Sequence, residues 1–365
     1  MNRRERILRT FSFEEPDRVP IWELRIDGPH VEAITRTNWI GSSKETSLDR
    51  RGIERHNVEV KVLCYNKLEF SMIMEAPSPA DGWKPKNLPD GSFIDEWGRI
   101  RVYDPLAKMS FPTRGSIKTT EDFENFPFPD PYGSGVLHTF EYLVKLVKGE
   151  MAVAAEVRAP FATAWEMFGV QNFCQWLHEK PQFIKKAIER ITNYNVELIK
   201  LMVDAGADVI VSNGDIAEKN GPMVPPRFFK EIFFPNMKRE VNTAHKKGVK
   251  FIKHTDGNIN LLLDGLAKTV DGLHSLDPSA GVVLSEVKEK YGDRLILMGN
   301  VSVDKLASAK KEEIVADTKE CIKHAAPGGG YVLSSSNSWY ANAKLENCLA
   351  MNETGRKYGR YPIKL

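Results

Sequence analysis

His254 and Asp256 stand one residue apart at the end of the apolar run Val249–Lys253. On a strand, residues two apart project to the same side. An imidazole and a carboxylate would then share one face, within reach of one metal ion. Zinc accepts both ligand types, and an open coordination position would make it catalytic. The plainer alternative is that Asp256 only orients His254, or that both are structural turn residues. Glu156 interrupts the otherwise apolar stretch Ala152–Val157. A carboxylate there must face a pocket or find a partner, because unpaired burial is costly. It reads as a third metal ligand or a general acid/base, or else as an ion-pair partner of Arg158. Asp215 follows Asn213-Gly214. It could bind substrate or metal, act as a base, or cap a turn, since Asx residues favour turns. His274 reads as a packed or hydrogen-bonded residue more than as a ligand.

The elements that must position these groups alternate along the last two-thirds of the chain. Short runs rich in β-branched residues recur at Ala152–Val157, Asp208–Ser212, Val249–Lys253, Gly272–Ser275, Leu295–Met298 and Tyr331–Ser334. Each is followed by a polar turn and an amphipathic stretch. Continuous apolar character predicts strands covered on both faces, as in parallel sheets. After Pro181 the spacing of Ile184, Ile188, Ile191, Leu198 and Met202 predicts a helix, with Gly206 just past its end. Residues 226–247, 258–268, 283–291, 311–325 and 344–358 read the same way. Two earlier runs, Val19–Leu24 and Leu68–Met74, bring the strand count to eight. That count suits an α/β fold, a single (β/α)8 TIM barrel over residues 1–365. Residues 76–150, rich in Pro and Gly, break the alternation and read as an insertion after the second strand, at the barrel mouth. Barrel active sites lie at the C-terminal ends of the strands. The substrate-binding candidates are therefore Glu23, Arg25, Asn213, Asn300, Ser336, Asn337 and Trp339. The catalytic candidates are Asp215 and Glu156, and the metal candidates His254, Asp256 and Glu156.

Fifty-one basic residues against 49 acidic give a net charge of +2. This gives no electrostatic reason to expect nucleic acid or an anionic membrane as partner. Cys64, Cys174, Cys321 and Cys348 show no C-x-x-C spacing and read as reduced thiols. The charged start lacks the apolar core of a signal peptide. No apolar run approaches the ~20 residues that cross a bilayer. The expected location is the cytoplasm.

Several segments carry a resemblance. HTDGN at 254–258, DGLHSLDP at 271–278, YGDRLILMGNVSV at 291–303, GGGYVLSSSNS at 328–338 and AKLENCLAM at 343–351 resemble the C-terminal half of the uroporphyrinogen-decarboxylase-like superfamily. The opening, ERILRTFSFEEPDRVPIW, and APFATAWEMFG at 159–169 are similar to it as well. The resemblance implies the (β/α) barrel and one of two activities: decarboxylation of uroporphyrinogen III, or methyl transfer involving corrinoid proteins. The decarboxylases carry an Arg-x-x-x-Arg pattern after the first strand, which holds the substrate's carboxylates. Here Arg25 matches, Pro29 replaces the second arginine, and Glu23 and Asp27 add negative charge. The thiol-directed methyltransferases bind zinc through His-x-Cys and a later Cys. Here His254 matches the histidine, Asp256 takes the place of one cysteine, and Asn337 stands near the other. A nitrogen and oxygen ligand set leaves zinc more electrophilic. The chain thus looks most like the methyl-donor-specific methyltransferases of O-demethylase systems. The resemblance implies a small methylated substrate, with methoxyaromatics among the candidates, a zinc ion, and a corrinoid carried by a separate protein. Uroporphyrinogen decarboxylase is the alternative, and a homodimer fits the family.

Overall fold

The computed structural model describes residues 1–42 and 48–365. Seven runs of buried residues form one parallel sheet: Met72–Glu75 (β1), Ala152–Arg158 (β2), Val209–Asn213 (β3), Lys250–Thr255 (β4), Gly272–Ser275 (β5), Ile296–Val301 (β6) and Tyr331–Ser335 (β7). They pair in sequence order, each with the next. Both faces of these strands are covered, which is why they read as continuous apolar runs rather than alternating ones.

The segment Val19–Leu24, expected as a strand, does a strand's work without regular ladder geometry. The Trp22 amide donates to Leu333 O at 3.0 Å and Leu333 N donates to Pro20 O at 2.9 Å on one side. On the other side Ser71 N donates to Ile21 O at 2.8 Å. The segment therefore lies between β7 and the approach to β1 and closes the barrel. Pro20 has no N–H to give to a ladder, so only isolated bridges form, Ile21 with Leu333 and Ile26 with Trp339. The expected strand Leu68–Met74 begins later. Leu68 ends the helix Arg50–Leu68, Glu69 turns it off with a left-handed φ of 57°, and β1 starts at Met72.

The helix Pro181–Asp204 (24 residues) buries Ile184, Ile188, Ile191, Leu198 and Met202, the stripe its spacing predicts. The region 226–247 is not one uniform helix. A short turn at Pro226–Phe228 widens into a π-helix, Phe229–Phe233, before the α-helix Phe234–Lys246. Pro235 cannot donate into the preceding turn, and the wider winding accommodates it.

Within residues 76–150, an antiparallel meander of four short strands, Lys86–Asn87, Phe93–Ile94, Arg99–Asp104 and Met109–Gly115, stands over the strand ends. Phe123, fully buried in the following helix Thr120–Glu124, packs edge-on against Phe128, Phe168 and Phe183 at 5.3–5.5 Å between ring centres. This aromatic cluster pins the meander to the barrel's outer layer. The later helix His138–Val147 packs on Arg50–Leu68, β1 and β2, as a barrel helix rather than as part of the cover. Among the described residues no helix is long and apolar enough to cross a membrane.

Candidate active site

A cavity of about 830 Å³ opens at the C-terminal ends of the strands. The strand ends supply its floor, with Glu156, Arg158, Asn213, Asp215, His254 and Asp256; the meander supplies walls through Trp97, Arg99, Arg101 and Phe111.

Strand register explains which floor residues meet. His254 on β4 stands beside Asn213 on β3 and beside His274 on β5. Asp215 and Asp256 each lie two residues past this level, so both carboxylates rise to the same height. Ligand atoms of Asp215, His254 and Asp256 all lie within 4.8 Å of one another. The Asp256 amide donates to Asp215 Oδ1 at 2.9 Å, and Asn337 Nδ2 donates to Asp256 Oδ2. His254 Nε2 is 3.8 Å from Asp256 Oδ1. That oxygen is buried and has no hydrogen-bond partner among the described residues.

His254 is aimed by its other nitrogen. Its Nδ1 shares a 2.7 Å hydrogen bond with His274 Nδ1, and His274 Nε2 bonds Ser334 Oγ at 3.0 Å. The Trp22 ring packs edge-on against His274, 5.0 Å between centres. Burial holds His274 down to about 3, and burial and then the neighbouring His274 hold His254 well below its ordinary value. Both rings are therefore neutral. One must donate and the other accept along the 2.7 Å bond, while His254 Nε2 faces the carboxylates. Asp256 is pushed up to about 8, first by burial and then by the charge of Asp215. Two acids facing one another this closely disfavour a double negative charge.

The expected metal set is thus regrouped. Asp215 joins His254 and Asp256, and Glu156 does not. Glu156 pairs in register with Val211, which pairs with Ile252, one layer below His254. Its Oε1 accepts from Asn213 Nδ2 at 2.7 Å, at the cavity edge. Of the substrate-binding candidates, Arg25, Asn213 and Asn337 line the cavity. The other four are turned elsewhere. Glu23 is fully buried and accepts from Ser335 N and Ser335 Oγ, both at 2.7 Å. Asn300 donates to the carbonyls of Leu276 and Val282. Ser336 Oγ accepts from Val303 N at 3.3 Å. Trp339 is fully buried against Phe70, 5.7 Å between rings.

Sequence reasoning missed three groups. Lys253, beside His254 and on the opposite face of β4, is fully buried; burial pushes it down to about 7 against the pull of Asp215. A lysine inside an apolar strand run was the available signal. Glu166 binds Arg158 and Arg99, and Asp95 binds Arg99 at 2.7 Å. These pairs join the meander to β2 and the helix after it, a long-range contact no local pattern announces.

A family model described as uroporphyrinogen decarboxylase (URO-D) matches residues 109–358, more than half of the chain. The chain belongs to the uroporphyrinogen decarboxylase family. Relatives within reach of that family carry two kinds of name. A methylcobamide:CoM methyltransferase, MtaA, of Methanosarcina barkeri strain Fusaro is 24% identical over 220 residues, 59% of this chain and 61% of that protein. A uroporphyrinogen decarboxylase of Alkalilimnicola ehrlichii is 22% identical over 369 residues, 95% of this chain and 92% of that one. The chain thus spans about three-fifths of the methyltransferase relative it matches. The solved structure of a methyltransferase from Methanosarcina mazei superposes with a TM-score of 0.75 at 19% identity, covering 98% of this chain and 99% of that one. That likeness is one of fold.

Proposed function

We propose that this URO-D family member is a methyltransferase that passes a methyl group from a small methylated substrate to a corrinoid carried by a separate protein. The observation that carries the reading is the thiolate-free cluster of Asp215, His254 and Asp256 on the cavity floor. The similarity to a protein named methylcobamide:CoM methyltransferase supports it.

The cluster fits a divalent cation, and zinc is the ion we assign. A buried carboxylate oxygen on Asp256 without a partner, a neutral imidazole offering Nε2, and two crowded acids form a donor set that a cation would complete. When bound, zinc would supply Lewis acidity toward the heteroatom that carries the methyl group. The protein's own groups do the rest. Asn337 and the Asp256–Asp215 amide contact hold the two carboxylates in place, and His274 holds the imidazole. Glu156, steadied by Asn213 and standing outside the cluster, is the group placed to exchange a proton with the departing heteroatom. Trp83, Trp97, Phe111 and Phe128 along the cavity wall suit an aromatic methyl ether as donor.

Decarboxylation of uroporphyrinogen fits less well. Seven carboxylates line the cavity against four guanidinium groups. All four, Arg25, Arg99, Arg101 and Arg158, are already ion-paired, to Asp27, Asp95 or Glu166. Such a lining leaves no free guanidinium for a substrate bearing many carboxylates.

The test has two arms. Elemental analysis should find about one zinc per chain (four protein or solvent ligands completing one site) and its loss in His254→Ala. Methoxyaromatic donors should then methylate a reduced corrinoid protein only with the zinc-bearing wild type. Turnover of uroporphyrinogen III by zinc-free protein would overturn the reading.

A further inference from the structure

Lys253 is the only lysine fully buried among the described residues. No ion pair within 4 Å joins it to a carboxylate among them, and the nearby Glu240 takes its hydrogen bond from Asn195 instead, at 2.7 Å. The ammonium group instead donates to three backbone carbonyls: Gly214 O, His254 O at 2.6 Å and Ser212 O at 3.4 Å. An ammonium has three N–H groups, and here each has a carbonyl. Two of those carbonyls, Ser212 in β3 and Gly214 just past its end, lie on the segment that leads into Asp215; the third belongs to His254 on β4.

Burying an amine that makes no direct ion pair is costly even with Asp215, Glu240 and Asp256 pulling on it from further off, and an apolar side chain of similar length would pack more cheaply. A packing role therefore does not account for this lysine. What its hydrogen bonds achieve is a bridge between two strand ends that both carry members of the cluster. Strand alternation turns the Lys253 side chain away from the face that His254 presents to the cavity, so it works from the opposite, helix-covered face of the sheet, where Glu240 lies. Gly214 permits the approach. Its φ is +143°, and a Cβ there would come within 2.4 Å of the Ala162 Cβ, so the backbone lies closely against its surroundings with its carbonyl on the ammonium. Above the bridge, Asp256 N donates to Asp215 Oδ1 at 2.9 Å and Ile216 N donates to Thr255 Oγ1 at 3.1 Å.

We propose that Lys253 is a positioning residue: it clamps the β3 end to the β4 end from the far face of the sheet and so sets Asp215 against His254 and Asp256. The metal part of this inference rests on the function proposed above; the clamp itself does not.

Two measurements separate them. Zinc affinity by chelator competition should fall about 10- to 100-fold in Lys253→Met, the usual effect of removing a group that orients a ligand. Lys253→Arg, which keeps a charged donor, should restore part of it. The Lys253→Met/Asp215→Asn double variant should bind no worse than the weaker single variant, since both changes act through one carboxylate. Independently, amide exchange at Asp256 and Ile216 in zinc-free protein should speed up at least tenfold in Lys253→Met while amides of β6 stay unchanged. If Lys253→Met does not fold, Lys253→Arg against wild type gives the same readouts at smaller size. Unchanged zinc affinity together with unchanged Asp256 and Ile216 exchange overturns the clamp. A wild type that binds no zinc overturns the metal reading, and the exchange arm then decides the clamp alone.

Discussion

Glu23→Gln should make the protein more stable, and only at neutral to alkaline pH. Glu23 is fully buried, accepts from Ser335 N and Oγ at 2.7 Å, and is pushed up to about 8 by burial, against an ordinary value of 4.5. The folded chain therefore keeps this proton between pH 4.5 and 8, where the unfolded chain has released it. A folded state that binds more protons loses stability as pH rises. The contribution is present below pH 4.5 and is lost by pH 8. At 1.36 kcal/mol per pH unit over that window, the loss approaches about 5 kcal/mol. Glutamine copies the protonated carboxyl: its carbonyl accepts from the Ser335 amide and its NH2 donates to the Ser335 hydroxyl, which can donate or accept. Urea unfolding of both proteins at pH 5, 6.5 and 8 measures the difference. Near pH 5 they should agree within about 1 kcal/mol, typical of an isosteric polar exchange, and the variant should pull ahead progressively toward pH 8. A difference independent of pH, or a variant weaker at pH 8, would refute a buried neutral Glu23 and restore a charged role for it.

Two further outcomes follow from the same geometry. Trp339→Ala removes a fully buried ring packed on Phe70 and should cost about 3–5 kcal/mol in denaturant unfolding; normal stability with a raised KM would instead return Trp339 to the substrate site. His274→Phe keeps the ring's packing on Trp22 and removes its bonds to His254 and Ser334, so zinc affinity in chelator competition should drop about 10- to 100-fold with the fold intact by circular dichroism.

The covered strands, the long helix from Pro181 to Asp204 and the shared face of His254 and Asp256 were all legible in the sequence. Each follows from a local period of two or 3.6 residues, which a chain carries in its order of residues. The family resemblance was legible too, through motifs spread over both ends of the chain. The boundaries at Pro20 and Glu69 were less so, because one missing N–H and one left-handed residue shift an element's edge without changing its apolar pattern. What only the tertiary structure decided was which polar strand-end residues reach the mouth. Glu23 and Arg25 alternate to the same side, yet Glu23 meets Ser335 inside the barrel and Arg25 meets the cavity. Asp215 joins His254 while Glu156 stays a layer lower because the register between neighbouring strands sets their heights. Register is a relation between chain segments far apart in sequence, settled by how the whole barrel packs and closes. Within one strand the sequence orders the side chains; only the closed barrel ranks them against one another.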